Sequence, residues 1–245
     1  MSNEWRMVPK ESWREETKIY HSRLERASSL SSEVGDTIKN KYPGKYWSSQ
    51  PDDETTSVAI KIVIYAVTGF SYSLALRPII EQQFKSGQFM IVPLNVRFFF
   101  EMWGGVHYAK SLLEKLSGKE SVESEFKKVN KLLMGARSEV MLPWGGLATE
   151  PSIHIMDFIR SIEKDYKGSE ELYNFLCEAS HPNFVQNTYF QMAGPPVSNW
   201  DNVKFNEHGH KLLEKTLASY ELAAYGSERD IIGALCLGDK LVNEN

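Results

Sequence analysis

The chain is poor in cysteine: Cys177 and Cys236 are the only two in 245 residues, and they lack C-x-x-C spacing. That excludes a disulfide framework and a cysteine-rich zinc module. Neither sign of charge dominates, with 28 Lys and Arg against 32 Asp and Glu. A net charge of -4 removes the electrostatic case for general nucleic-acid binding or for attraction to an anionic membrane. Glycine and proline number only 16 and 10, without period, which excludes collagen-like and low-complexity chains. Also missing are the phosphate-loop pattern, the dinucleotide fingerprint, the G-x-S-x-G elbow and H-E-x-x-H. The stretch from Met1 to Lys10 is polar and carries both signs, unlike the apolar region of a signal peptide. The expectation is a cytoplasmic protein without a cofactor.

Long apolar runs are scarce too. Val58 to Leu76 has Lys61 as its only charge and is just long enough to cross a bilayer. Thr68, Ser71 and Ser73 dilute it, so a buried core helix is expected and no membrane association.

What the chain does have is helical periodicity. Trp13, Tyr20, Ala27 and Val34 recur every seven residues, predicting a long helix within 1–42 that packs on a bundle. The loop from Tyr42 to Ser57 leads into an apolar helix reaching Ser86, which Arg77-Pro78 is expected to kink or restart. Pro93 suits the first turn of a helix to Leu116. Further helices are predicted over Ser121–Met134, from Pro151 to Tyr166, over Glu170–Ser180, and separately over Glu207–Tyr225 and Glu228–Val242. The expected fold is all-α: a single domain, 1–245, of seven or eight helices around two buried central ones.

Chemistry concentrates on two of these helices. From Pro93 to Leu116, Arg97, Glu101, Gly104 and Tyr108 share one stripe of a helix that is otherwise aromatic and apolar. Such a helix is expected to be buried, taking Arg97 and Glu101 inward as an i,i+4 pair. They then form either an ion pair setting helix register or a polar pocket in which Arg97 grips an anion. Gly104-Gly105 suggests that another backbone approaches closely. On the second helix Cys177 and His181 are four apart, a spacing compatible with a thiol–imidazole pair. Glu178-x-x-His181 and Glu207-x-x-His210 share the spacing of di-metal bundles, for which Glu81 and Glu101 would supply the remaining carboxylates.

Two segments together, Arg97-Phe-Phe-Phe-Glu101 and Tyr173-Asn-Phe-Leu-Cys-Glu-Ala-Ser-His-Pro182, carry an R-x-x-x-E and a Y-x-x-L-[CS]-E-x-x-H-P pattern. The chain thereby resembles, over roughly residues 58 to 190, bacterial all-helical proteins of a domain-of-unknown-function family. The resemblance implies that Arg97, Glu101, Glu178 and His181 meet between helices. A more distant comparison is with the HEPN superfamily, many of them RNA-cleaving. Those proteins place Arg and His four to six residues apart on one helix (about that spacing). Here Arg97 and His107 are separated by nine residues, and Arg14 and His21 by six.

The functional expectation is a module binding a small molecule or protein, with homo-oligomers compatible. Arg97, Glu101, Tyr108, Glu178 and His181 would line its pocket. The alternative is a hydrolase or nuclease using Arg97 and His181, with Glu101 as a further catalytic candidate; a di-metal enzyme through Glu178, His181, Glu207 and His210 comes third.

Overall fold

The computed structural model describes residues 22, 23, 25, 38, 53–86, 91–118, 122–134, 151–181 and 207–243; at 122–124, 126, 134, 207–210 and 243 it describes the backbone only. The described residues form six helices and no strand, so the protein is all-α. These are α1 (Glu54–Lys85), α2 (Val92–Ser117), α3 (Val122–Met134), α4 (Ile155–Asp165), α5 (Ser169–Ser180) and α6 (Glu207–Asn243). The expected helix within 1–42 lies largely outside the described residues. Ser22, Arg23, Glu25 and Ile38 are helical, Ile38 is buried among core residues, and the Arg23 Nε donates to Glu221 on α6 (2.9 Å).

At two expected interruptions the helix continues. Pro78 sits inside α1 without ending it. It forfeits one backbone bond, toward Leu74, but lies on the exposed side while Ser73, Arg77, Ile80 and Phe84 are buried on the other. The packing of that face outweighs the lost bond. Gly226 likewise sits inside α6, which runs unbroken for 37 residues. Its missing side chain is a notch: a Cβ there would lie 2.2 Å from the Trp103 Cζ2.

Local signals elsewhere act as read. Asp53 caps α1, its Oδ1 accepting from the Thr56 amide (2.8 Å), and Pro93 lies in the first turn of α2. Gly168 adopts φ +88°, which turns α4 into α5, and the Glu163 carboxylate accepts from the Gly168 and Glu170 amides (3.1 and 3.0 Å). Those bonds hold the Glu163 carboxyl below its ordinary value and fix where α5 starts, which aims Tyr173 at α2.

The core is built by α1, α2 and α6, with α4 and α5 closing over α2. Phe99, Phe100, Trp103, Tyr173 and Tyr220 are fully buried, each contributing about 1.5–3 kcal/mol by leaving water. At Gly104 helix α4 approaches closely, a Cβ there meeting the Phe158 Cβ at 3.0 Å and its backbone carbon at 3.8 Å, whereas Gly105 makes room for a side chain, the Tyr65 hydroxyl at 2.8 Å. The N-terminal part of α2 is less covered than its aromatic composition predicts, since Leu94 and Phe98 remain 51% and 45% exposed. By length and composition α1 is apolar enough to cross a membrane, with mean hydropathy 1.6 in a window that is 44% buried within the protein.

Candidate functional site

Polar side chains meet α2 at three stations, two built on its own residues and one where Arg77 of α1 packs on Phe99, and they differ in access to solvent. The first joins α2 to α6. Asp230, fully buried, accepts through Oδ2 from the Trp103 Nε1 (2.8 Å) and from the His107 Nδ1 (2.9 Å). The Lys110 Nζ lies 3.5 Å from its Oδ1. The other ring nitrogen of His107 faces the backbone oxygen of Ser161 on α4 (3.1 Å). Both ring nitrogens thus face an oxygen, one on α6 and one on α4, so the imidazole bridges the two helices. Tyr166 packs edge-on against Trp103 and His107, its hydroxyl pushed up to about 12 by burial and by Asp230. Sequence reasoning passed over this station. Its only signal is an aspartate directly before Ile231 and Ile232, where the apolar run of α6 begins.

The second station is Arg77, 4% exposed, whose guanidinium lies over the Phe99 ring (5.6 Å) and 3.7 Å from the Glu228 carboxylate. No guanidinium nitrogen has a hydrogen bond within 3.5 Å among the described residues. Burial lowers the Arg77 pKa and raises that of Glu228, so each charge is sustained by the other. Replacing one partner strands a buried charge, whereas replacing both by apolar residues removes the desolvation cost as well. The double variant R77M/E228L is therefore expected to match the wild-type unfolding free energy within about 1 kcal/mol, or exceed it. Urea denaturation checks this; a double-variant loss of about 3 kcal/mol would show the pair to be net stabilising.

The third station is open. The Arg97 Nε donates to the Glu101 Oε1 (3.0 Å), and the Tyr173 hydroxyl on α5 donates to the same oxygen (2.8 Å). The guanidinium lies over the Tyr173 ring, 5.9 Å from its centre. Tyr173 is buried, but the side chains of Arg97 and Glu101 are 27% and 21% exposed. The pair thus sits half-covered at the edge of the α2–α5 contact rather than inside the core. Partial burial opposes the Arg97 charge, but Tyr173, Cys177 and Glu101 outweigh it and hold the guanidinium charged. Burial pushes the Cys177 thiol up despite Arg97 beside it, so it is a poor nucleophile.

The other residues of interest lie apart from this pair. Tyr108 is eleven residues along α2, about 16 Å by helical rise, and packs on Phe158 of α4 (5.3 Å). Glu178 is exposed on α5. His181 is the exposed C-cap of α5; its backbone amide donates to the Cys177 oxygen (3.1 Å), and its ring makes no bond to Arg97 or Glu101. The side chains of Glu207 and His210, like Arg14 and His21, lie outside the described residues. Among the described residues no three His, Cys, Asp or Glu side chains gather as metal ligands. Glu81 lines a shallow open depression at the C-terminal end of α1, with Pro78, Gln82, Lys85 and Ser86.

The arrangement at α2 and α5 can hold an anion. A guanidinium is fixed along one edge by a carboxylate and beneath by an aromatic ring, which leaves its terminal amino groups forward. Apart from the contact with Tyr173, those groups have no oxygen partner among the described residues. Comparison of the chain with protein-family models, with curated proteins and with solved structures gives no match.

Proposed function

We propose that the protein is a cytoplasmic helical module that binds a small anionic ligand at the partly exposed Arg97–Glu101 pair where α2 meets α5. Arg97 is the donor, Glu101 and Tyr173 orient it, and Cys177 lies beside it as a neutral thiol. The observation that carries this reading is a solvent-reachable guanidinium whose Nε is taken by Glu101 while its terminal amino groups meet no protein group but Tyr173 among the described residues. The alternative of a sealed structural pair would place both side chains out of water, as Arg77 and Asp230 are.

Acetate and inorganic phosphate are the first probes, titrated at constant ionic strength with backbone amide shifts as the readout. Acetate is expected to shift the amides of Tyr173 and Cys177 saturably in the wild type and not in R97M. Removing a partly exposed pair is expected to cost about 1 kcal/mol or less. An R97M variant that loses about 3–5 kcal/mol, in a protein whose amides ignore both anions, would overturn the reading and leave a structural ion pair.

A further inference from the structure

We infer that the ligand of this site is an amphiphile: a monocarboxylate with an aliphatic tail, its head on Arg97 and its tail along the N-terminal turns of α2. The inference rests on the anion-binding reading above and extends it with a separate observation. Leu94 and Phe98 of α2 and Ile91, its N-cap, are 51%, 45% and 45% exposed, and no other large apolar residue of α2 is exposed. Successive residues of a helix turn by about 100°, which puts Arg97, Glu101, Leu94, Phe98 and Ile91 on one arc of about 120°. The exposed apolar side chains therefore lie beside the guanidinium. From Arg97 back to Ile91 is about 9 Å along the axis, the reach of a medium-length acyl chain. Exposed apolar side chains grouped in this way, bordered by a polar group, mark a binding surface more often than scattered ones do.

Charge selects the head group. Arg97 offers its two terminal amino groups, while Glu101 holds the Nε and contributes a negative charge within the same turn. A single carboxylate matches the remaining edge of the fork; a doubly charged phosphate meets more repulsion from Glu101. An apolar molecule without a head leaves the fork unmatched.

The test compares acetate, octanoate and 1-octanol by calorimetric titration of the full chain below the aggregation limit of octanoate. Octanoate is expected to bind about tenfold to a hundredfold more tightly than acetate, as covering half-exposed Leu94 and Phe98 implies. The double variant L94S/F98S, altered only at exposed positions and checked by circular dichroism, should lose that advantage and keep acetate binding. R97M should lose both. Equal affinities for acetate and octanoate would overturn the amphiphile while leaving the anion site. Octanol binding as tightly as octanoate, unchanged in R97M, would also overturn it, as the head would then contribute nothing. If neither carboxylate binds, both the inference and the reading beneath it fail.

Discussion

Replacing Asp230 by alanine lowers the unfolding free energy by about 3–5 kcal/mol, the expected cost of removing one member of a buried charged network. The carboxylate is out of contact with water and joins three partners on α2: Trp103, His107 and Lys110. Its removal leaves the indole N–H without an acceptor and a buried imidazole without its counter-charge. Through His107 the damage passes to α4, because the same ring holds the Ser161 oxygen. Urea unfolding of D230A against wild type measures the loss, and a value below about 1 kcal/mol would show that the network does not hold α2, α4 and α6 together.

The same carboxylate predicts a pH dependence. Burial alone would raise its pKa, but the hydrogen bonds and charge of His107, the Trp103 N–H and the Lys110 charge prevail, holding it below its ordinary 3.8. A group depressed in the folded state stabilises that state fully above its unfolded value and loses its contribution as pH falls through the folded one. Between neutral pH and about 5 Asp230 therefore adds no slope, and below about 4 wild-type stability falls more steeply than that of D230N. Parallel curves for the two proteins in acid would contradict the assignment.

Gly226→Ala gives the second large effect, and its sign opposes helix propensity. Alanine inside a helix is favoured over glycine by about 1 kcal/mol. At this position the new Cβ would lie 2.2 Å from the Trp103 Cζ2 and 2.4 Å from its Cε2. The indole has little freedom to retreat, since it is fully buried and its Nε1 is bonded to Asp230. Overpacking of this kind costs about 1–3 kcal/mol or more, so a net loss of about 2 kcal/mol or more is expected once the indole's bond is strained as well. Gly69→Ala is the control: its Cβ would stand 3.3 Å from the Val106 Cγ2, a contact that a small shift relieves. That variant should lie within about 1 kcal/mol of wild type. Thermal melts of the two variants side by side decide the matter, and G226A melting at or above wild type would mean that the notch is not required.

The helices were legible because their signals are local. Apolar spacing, Asp53, Pro93 and Gly168 act within a few residues of themselves, and the helix ends they imply agree closely with those of α2, α3 and α5. The pairing of Arg97 with Glu101 was legible for the same reason, since side chains four apart in a helix are neighbours whatever else the chain does. Neither Pro78 nor Gly226 ends its helix, because a proline or glycine inside a helix costs only a few kcal/mol, which packing of the surrounding face can supply.

Tertiary structure alone decided the partners. Tyr173 reaches Glu101 across 72 positions and Asp230 reaches Trp103 across 127. It also decided which charged groups stay wet: Asp230, in a helix of mixed character, is sealed, while Arg97, in the most aromatic helix, keeps an edge in solvent. Composition and periodicity thus determined that this chain is helical and where most helices run, since those depend on each residue's near neighbours. Which faces are covered depends on helices distant in sequence, and that coverage separates a structural ion pair from a place where a ligand can sit.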